Sequence, residues 1–158
     1  MEDDPNDVHF FRLGLEKAGL AGGLQVAQDG EEAVDYIEGR GRYENRALHP
    51  LPALIVLDLK LPKKGGLEVL RWLRKESLLK ELPVIILTSS KEPNDVATSR
   101  ALGVAAYEVK TVDILESRNL IRSIGLVWAK LTGNADRLRP VASKDLPKTT
   151  PPPAPASL

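Results

Sequence analysis

The sequence contains no cysteine, and its 22 basic side chains are matched by 22 acidic ones. The first absence excludes disulfide frameworks, thiolate zinc sites and thiol catalysis. The second argues against a general nucleic-acid binder or a polybasic membrane protein, because phosphate contacts need a clustered cationic excess. No apolar run approaches the roughly 18 residues of a membrane-spanning helix. Met1-Glu2-Asp3-Asp4-Pro5 has neither the basic nor the apolar region of a signal peptide, so a cytoplasmic location is expected.

What is present is one domain's worth of chain. The 158 residues, 42% of them hydrophobic, suffice to bury roughly two-thirds of the unfolded surface. Six of the twelve prolines fall in the last 19 residues. That stretch has too few large apolar groups to offset its ordering entropy. Residues 134–158 are therefore expected to form a disordered tail of polyproline II character, a solvated segment before a docking ligand. The globular part is 1–133.

Within it, apolar runs alternate with helical patterns. Asp4-Pro5 and Asp7 read as an N-cap, a proline at the first helical position and an acidic first turn. Val8, Phe11, Leu15 and Ala18 keep helical spacing up to Gly19. Leu24–Ala27 is predicted as a short strand, and Asp29 caps a helix carrying Ala33, Val34 and Ile37. After a polar connection over 40–52, Ala53–Leu57 reads as a strand buried on both faces, ending on Asp58. A helix is predicted over 66–79, a strand over 83–87, a helix over 94–102 and a strand over 105–109. A last helix over 113–131 has the capping-box pattern Asp113 to Glu116. This alternation implies right-handed βαβ units and a parallel sheet covered on both faces. It opens on a helix, so a first strand would be expected before Glu2.

Parallel α/β sheets place ligands beyond the carboxyl ends of their strands. Asp58, Thr88 and Lys110 each follow a buried strand, and Glu2, Asp3 and Asp4 precede the first helix. Each alone has an ordinary structural explanation: a turn former, a capping charge, a solvated lysine. Together they converge on one edge. Carboxylates placed close together repel one another unless a cation neutralises them, and a hard divalent ion such as Mg²⁺ takes oxygen ligands together with phosphoryl oxygens. A neighbouring lysine and hydroxyl suit a phosphoryl group. The chemistry implied is phosphoryl transfer onto or near Asp58.

Glu-Asp-Asp-Pro-Asn-Asp at 2–7, Leu-Asp-Leu-Lys-Leu-Pro-Lys-Lys-Gly-Gly at 57–66, Leu-Thr-Ser-Ser at 87–90 and Ala-Tyr-Glu-Val-Lys at 106–110 resemble the CheY-like receiver domain of two-component response regulators. The resemblance covers about residues 2–131 and is nearest to single-domain receivers associated with bacterial phytochrome-type histidine kinases. It implies a flavodoxin-like, doubly wound α/β fold with strand order 2-1-3-4-5, and an acceptor of phosphoryl groups rather than an enzyme. Asp58 would be the phosphoacceptor. Asp3 would bind Mg²⁺ directly, Glu2 through water and Lys60 through its backbone carbonyl. Lys110 would pair with the phosphoryl group, and Thr88 and Tyr107 would switch position. The implied partners are a sensor histidine kinase and a second copy through the last helix-strand-helix face, with neither nucleic acid nor membrane.

The chain departs from that pattern in four places. Lys60 stands two positions after the acceptor, Gly65 replaces a frequent acidic residue, and Thr111 follows Lys110 in place of the usual proline. The first strand is missing, so the expectation is that the natural product extends upstream of Met1. A chain starting at Met1 would carry Glu2 and Asp3 on a fraying end. The competing reading is a receiver-like interaction module that is not phosphorylated because that strand is absent. A phosphatase using Asp58 ranks below both, since Leu59-Lys60 supplies no second carboxylate. His9 and His49 read as ordinary surface or loop residues, Trp72 and Trp128 as packing or rim residues, and Lys63-Lys64 as a solvated loop pair.

Overall fold

A computed structural model describes residues 1–17, 23–77, 79–110 and 123–127. Its sheet is parallel and contains β1 (Ile55–Leu57), β2 (Val84–Thr88) and β3 (Ala106–Val109), in that order. Ile55 pairs with Val84 and Leu57 with Ile86, while Ile85 pairs with Ala106 and Thr88 with Val109. These are the expected third, fourth and fifth strands, adjacent as predicted. Val84, Ile85 and Ile86 are fully buried, which requires cover on both faces and explains why the runs are apolar without alternation.

That cover comes from the helices α1 (Pro5–Lys17), α2 (Gly30–Glu38), α3 (Gly66–Lys75) and α4 (Pro93–Ala101). On one face, Leu57, Val84 and Ile86 pack with Val34 and Ile37 of α2 and with Leu70, Trp72 and Leu73 of α3. On the other, Ile85 packs with Leu15 of α1 and with Ile124; residues 123–127 are helical. Trp72 is thus a packing residue, as predicted. Among the described residues, no helix is long and apolar enough to cross a membrane. The remainder of the predicted last helix, Thr111, Trp128 and the 134–158 tail lie outside the described residues.

Local chemistry starts and stops these helices. Asp4 accepts from the Asn6 N–H at 2.8 Å, and Asp29 accepts from the N–H groups of Glu31 and Glu32, both as N-caps. Gly39 closes α2 in the left-handed conformation (φ 71°), where a side chain is disfavoured. Arg46 reinforces that end by donating to the Tyr36 and Ile37 carbonyls, each at 2.7 Å. The 40–52 connection is more ordered than a polar loop: Gly41–Tyr43 forms a 3₁₀ turn. His49 packs edge-on against both Tyr36 and Tyr43.

Three predicted elements differ. Leu24–Ala27 is not a strand; among the described residues its backbone is tied by the Glu2 N–H donating to the Ala27 carbonyl at 2.9 Å, too little for a ladder. The strand expected over 53–57 begins only at Ile55. The helix expected to reach Leu79 stops at Lys75, because the buried Ser77 hydroxyl accepts from the Leu79 N–H at 3.0 Å and favours a turn. Met1 and Glu2 are not frayed. Met1 donates to the Val56 carbonyl at 2.8 Å and accepts from the Asp58 N–H at 3.2 Å. With the Glu2–Ala27 bond, these two residues bridge the 24–27 segment and β1.

Two contacts set how closely the helices approach. A Cβ on Gly66 would lie 2.1 Å from the Asp58 carbonyl oxygen, and one on Gly30 would lie 1.9 Å from the Lys64 carbonyl oxygen. At the amino ends of the strands, Arg74 donates to the carbonyls of Lys80 and Leu102 at 2.8 Å, Leu82 at 3.0 Å and Gly103 at 3.2 Å. Gly66→Ala is therefore expected to cost at least about 2 kcal/mol through overpacking. Arg74→Ala is expected to cost about 2 kcal/mol by leaving half-buried carbonyls unpaired. Urea unfolding of the two variants checks both values; a loss below about 0.5 kcal/mol in either would contradict its stated cause.

Candidate functional site

Asp58 follows β1 directly and is buried at 4% exposure. Its Oδ1 accepts from the Lys60 N–H at 3.0 Å and its Oδ2 from Lys110 Nζ at 2.6 Å. Lys110 follows β3, and its N–H donates to the Thr88 carbonyl at 2.8 Å, so the sheet's own ladder delivers the lysine to the acidic edge. Its ammonium also reaches Glu2 at 2.8 Å and Asp7 at 2.8 Å. Glu2, Asp3 and Asp58 each offer a carboxylate oxygen within 4.8 Å of the others. The strand-end residues named from the sequence are thus brought together.

The protonation pattern follows from this packing. Burial pushes Asp58 upward, but hydrogen bonds from Lys110, the Lys60 N–H and the Thr88 hydroxyl outweigh it and hold the carboxyl below its ordinary range. Burial also acts on Glu2, and there it prevails over Lys110 and the Asp4 N–H, raising the group. For Lys110 burial favours the neutral form, yet bonds to Asp58, Asp7 and Glu2 more than offset it and raise the lysine. Asp58 and Lys110 thus each hold the other toward its charged form, as an ion pair.

The donor set fits a hard divalent cation: three carboxylates contribute oxygen, and no nitrogen or sulfur ligand stands among them. Lys60 is held at this edge by its N–H bond to Asp58.

Thr88 is fully buried at the end of β2, and its hydroxyl accepts from the Ser90 N–H at 3.3 Å. The half-buried Tyr107 donates its hydroxyl to the Ser90 carbonyl at 3.2 Å, and the Ser90 hydroxyl donates to Asp95 of α4 at 2.6 Å. Ser90 thus joins the three elements that carry Thr88, Tyr107 and Asp95. Neither it nor Asp95 was singled out from the sequence, where a serine after a strand reads only as a turn residue. Asp7 was also missed as a site residue. Its place in the first turn of α1, directly after the acidic run Glu2-Asp3-Asp4, was the available signal. Lys63 is not merely solvated: it pairs with Asp29 at 2.6 Å, and Lys64 lies over the Trp72 ring.

The family model of the response regulator receiver domain matches residues 1–122. The chain is 34% identical over 128 residues to the response regulator Rcp1 of Synechocystis, covering 81% of this chain and 85% of Rcp1. The solved Mn²⁺-bound form of Rcp1 superposes with a TM-score of 0.72, covering 81% of this chain and 90% of that one. The bacteriophytochrome response regulator AtBRR is 44% identical, with a TM-score of 0.64 over 78% of this chain and 88% of its own. The phosphorylated cyanobacterial phytochrome response regulator RcpA is 31% identical, with a TM-score of 0.72 over 81% of this chain and 89% of its own.

A divalent cation at ten times its Kd is expected to stabilise the fold by about 1.4 kcal/mol, raising Tm by about 3–6 °C. Calorimetric melting with and without chelator measures this shift. Asp3→Asn should remove most of it, and an Asp3→Asn protein that retains the full shift would place the cation elsewhere.

Proposed function

The chain belongs to the response regulator receiver domain family of two-component systems and has its CheY-like α/β fold, and on that premise we propose that it accepts a phosphoryl group on Asp58 from a histidine kinase. The observation that carries this reading is an ionised, buried Asp58 in contact with Lys110 and flanked by Glu2 and Asp3. An Asp58 carboxylate oxygen forms the bond to phosphorus as the P–N bond of the kinase phosphohistidine breaks; the electron pair goes to that ring nitrogen, and a proton carried on the other ring nitrogen lets the imidazole leave neutral.

Glu2, Asp3 and Asp58, with the Lys60 backbone carbonyl, would hold Mg²⁺, which when bound neutralises the charge on the phosphoryl oxygens. Lys110 supplies the protein's own positive charge. It moves from the carboxylate oxygen to a phosphoryl oxygen, which offers the same ammonium a stronger acceptor. Thr88 lies beside Asp58, and its hydroxyl accepts from the Ser90 N–H while donating toward the carboxylate. Turning that hydroxyl toward the new group would disturb the Ser90 segment and the Tyr107 hydroxyl bonded to it. Thr88 and Tyr107 would thereby carry the change to the β3 side of the domain.

The similarity to phytochrome response regulators supports a phytochrome-type kinase as the donor. We assign residues 1–133 to this receiver, acting in the cytoplasm, and 134–158 to a Pro-rich tail. Self-association is assigned to the last helix-strand-helix face.

Intact-protein mass spectrometry after incubation with acetyl phosphate and Mg²⁺ tests the assignment. Wild type should gain a single phosphoryl group and Asp58→Asn none. Lys110→Met should gain it at least about tenfold more slowly, as expected for removal of one transition-state charge contact. An unlabelled wild type, with either acetyl phosphate or phosphorylated kinase, would instead support an unphosphorylated interaction module.

A further inference from the structure

The Lys110 ammonium has three N–H donors, and three carboxylates take them: Glu2 at 2.8 Å, Asp7 at 2.8 Å and Asp58 at 2.6 Å. Two of these acceptors, Glu2 and Asp58, belong to the carboxylate cluster that fits a divalent cation, whose third member is Asp3. Asp7 does not. The same oxygens therefore face a choice between the lysine and a cation, and like charges cannot crowd one site. If the ammonium is loosened from Glu2 and Asp58, its remaining acidic partner among the described residues is Asp7.

Position and burial support that role. Asp7 lies in the first turn of α1, and its carboxylate reaches the Lys110 ammonium at 2.8 Å. Its side chain is 43% exposed, whereas that of Lys110 is 20% exposed and that of Asp58 is 5% exposed. Asp7 is thus at the outer margin of the cluster. Exposed ion pairs contribute little because water screens them, but here the cation is mostly shielded and the pair counts for more.

We propose that Asp7 is a positioning residue that retains the Lys110 ammonium at the margin of the acidic cluster when Glu2 and Asp58 turn to a divalent cation. This rests on the reading of the site as a cation-assisted phosphoacceptor, and it concerns the step before any phosphoryl group arrives. Without Asp7, the lysine's partners among the described residues are the cation's own ligands, and it competes with the cation for them. With Asp7, the lysine stays within reach of Asp58 without blocking it.

Isothermal titration of the full chain with Mg²⁺, without phosphodonor and at fixed pH and ionic strength, tests the proposal. Asp7→Asn should weaken Mg²⁺ binding about three- to tenfold, and Asp7→Glu should restore it to within about twofold of wild type. In a Lys110→Met background, which lacks the competing ammonium, Asp7→Asn should change affinity by less than about twofold. An equal loss in both backgrounds would show that Asp7 contributes only its charge and would overturn the proposal. So would an Asp7→Asn protein with wild-type affinity, or an Asp7→Glu protein as weak as Asp7→Asn. The last two comparisons need no Lys110 variant and hold even where that variant folds poorly. Because no phosphoryl group is involved, a wild type that binds Mg²⁺ but takes no label would sink the phosphoacceptor reading and leave this result standing.

Discussion

Everything at the carboxyl edge of the sheet depends on one ammonium. Lys110 is the charge that makes the burial of Asp58 tolerable, since an unpaired carboxylate in that position would take up a proton or destabilise the fold. The pair is not a neutral, self-contained unit, because Glu2 and Asp7 share the same ammonium. The edge therefore holds more negative charge than the protein neutralises. Among the described residues, that excess is what a divalent cation would relieve.

The fold supplies the precision this arrangement needs. Asp58, Thr88 and Lys110 each terminate or follow a strand of one parallel sheet, and the register of β1, β2 and β3 sets their spacing. Gly66 lets α3 begin against the Asp58 backbone, so that stretch of main chain is held by direct contact. Asp29 acts twice, capping α2 with Oδ1 and pairing with Lys63 through Oδ2. That double use ties the loop after Asp58 to the neighbouring helix. The side chains of the site are thus placed by backbone geometry, and few of them need long, flexible reach.

Much of this was legible in the amino-acid pattern. Continuous apolar runs marked β1 and β2, and the polar residue closing each predicted strand marked the site, because a parallel sheet puts all those ends together. What escaped notice did so for physical reasons. Asp7 already had a sufficient explanation as a first-turn acid. Arg46 and Arg74 act on backbone carbonyls, which leave no signature in side-chain spacing. The Tyr36–Tyr43–His49 cluster unites a helix with a loop, and no periodicity links them. The Leu24–Ala27 segment has strand-like composition, but a strand is defined by its partners, and composition does not count hydrogen bonds.

Arg74 sits at the end of the sheet opposite to the chemistry, gathering the chain segments that lead into β2 and β3. The molecule is therefore polarised along its strands, with cohesion concentrated at one pole and reactivity at the other. Sites so far apart contribute to stability almost independently. Substitutions can then accumulate around Asp58 while the distant pole keeps the chain folded, a division of labour that leaves the acidic end free to diversify.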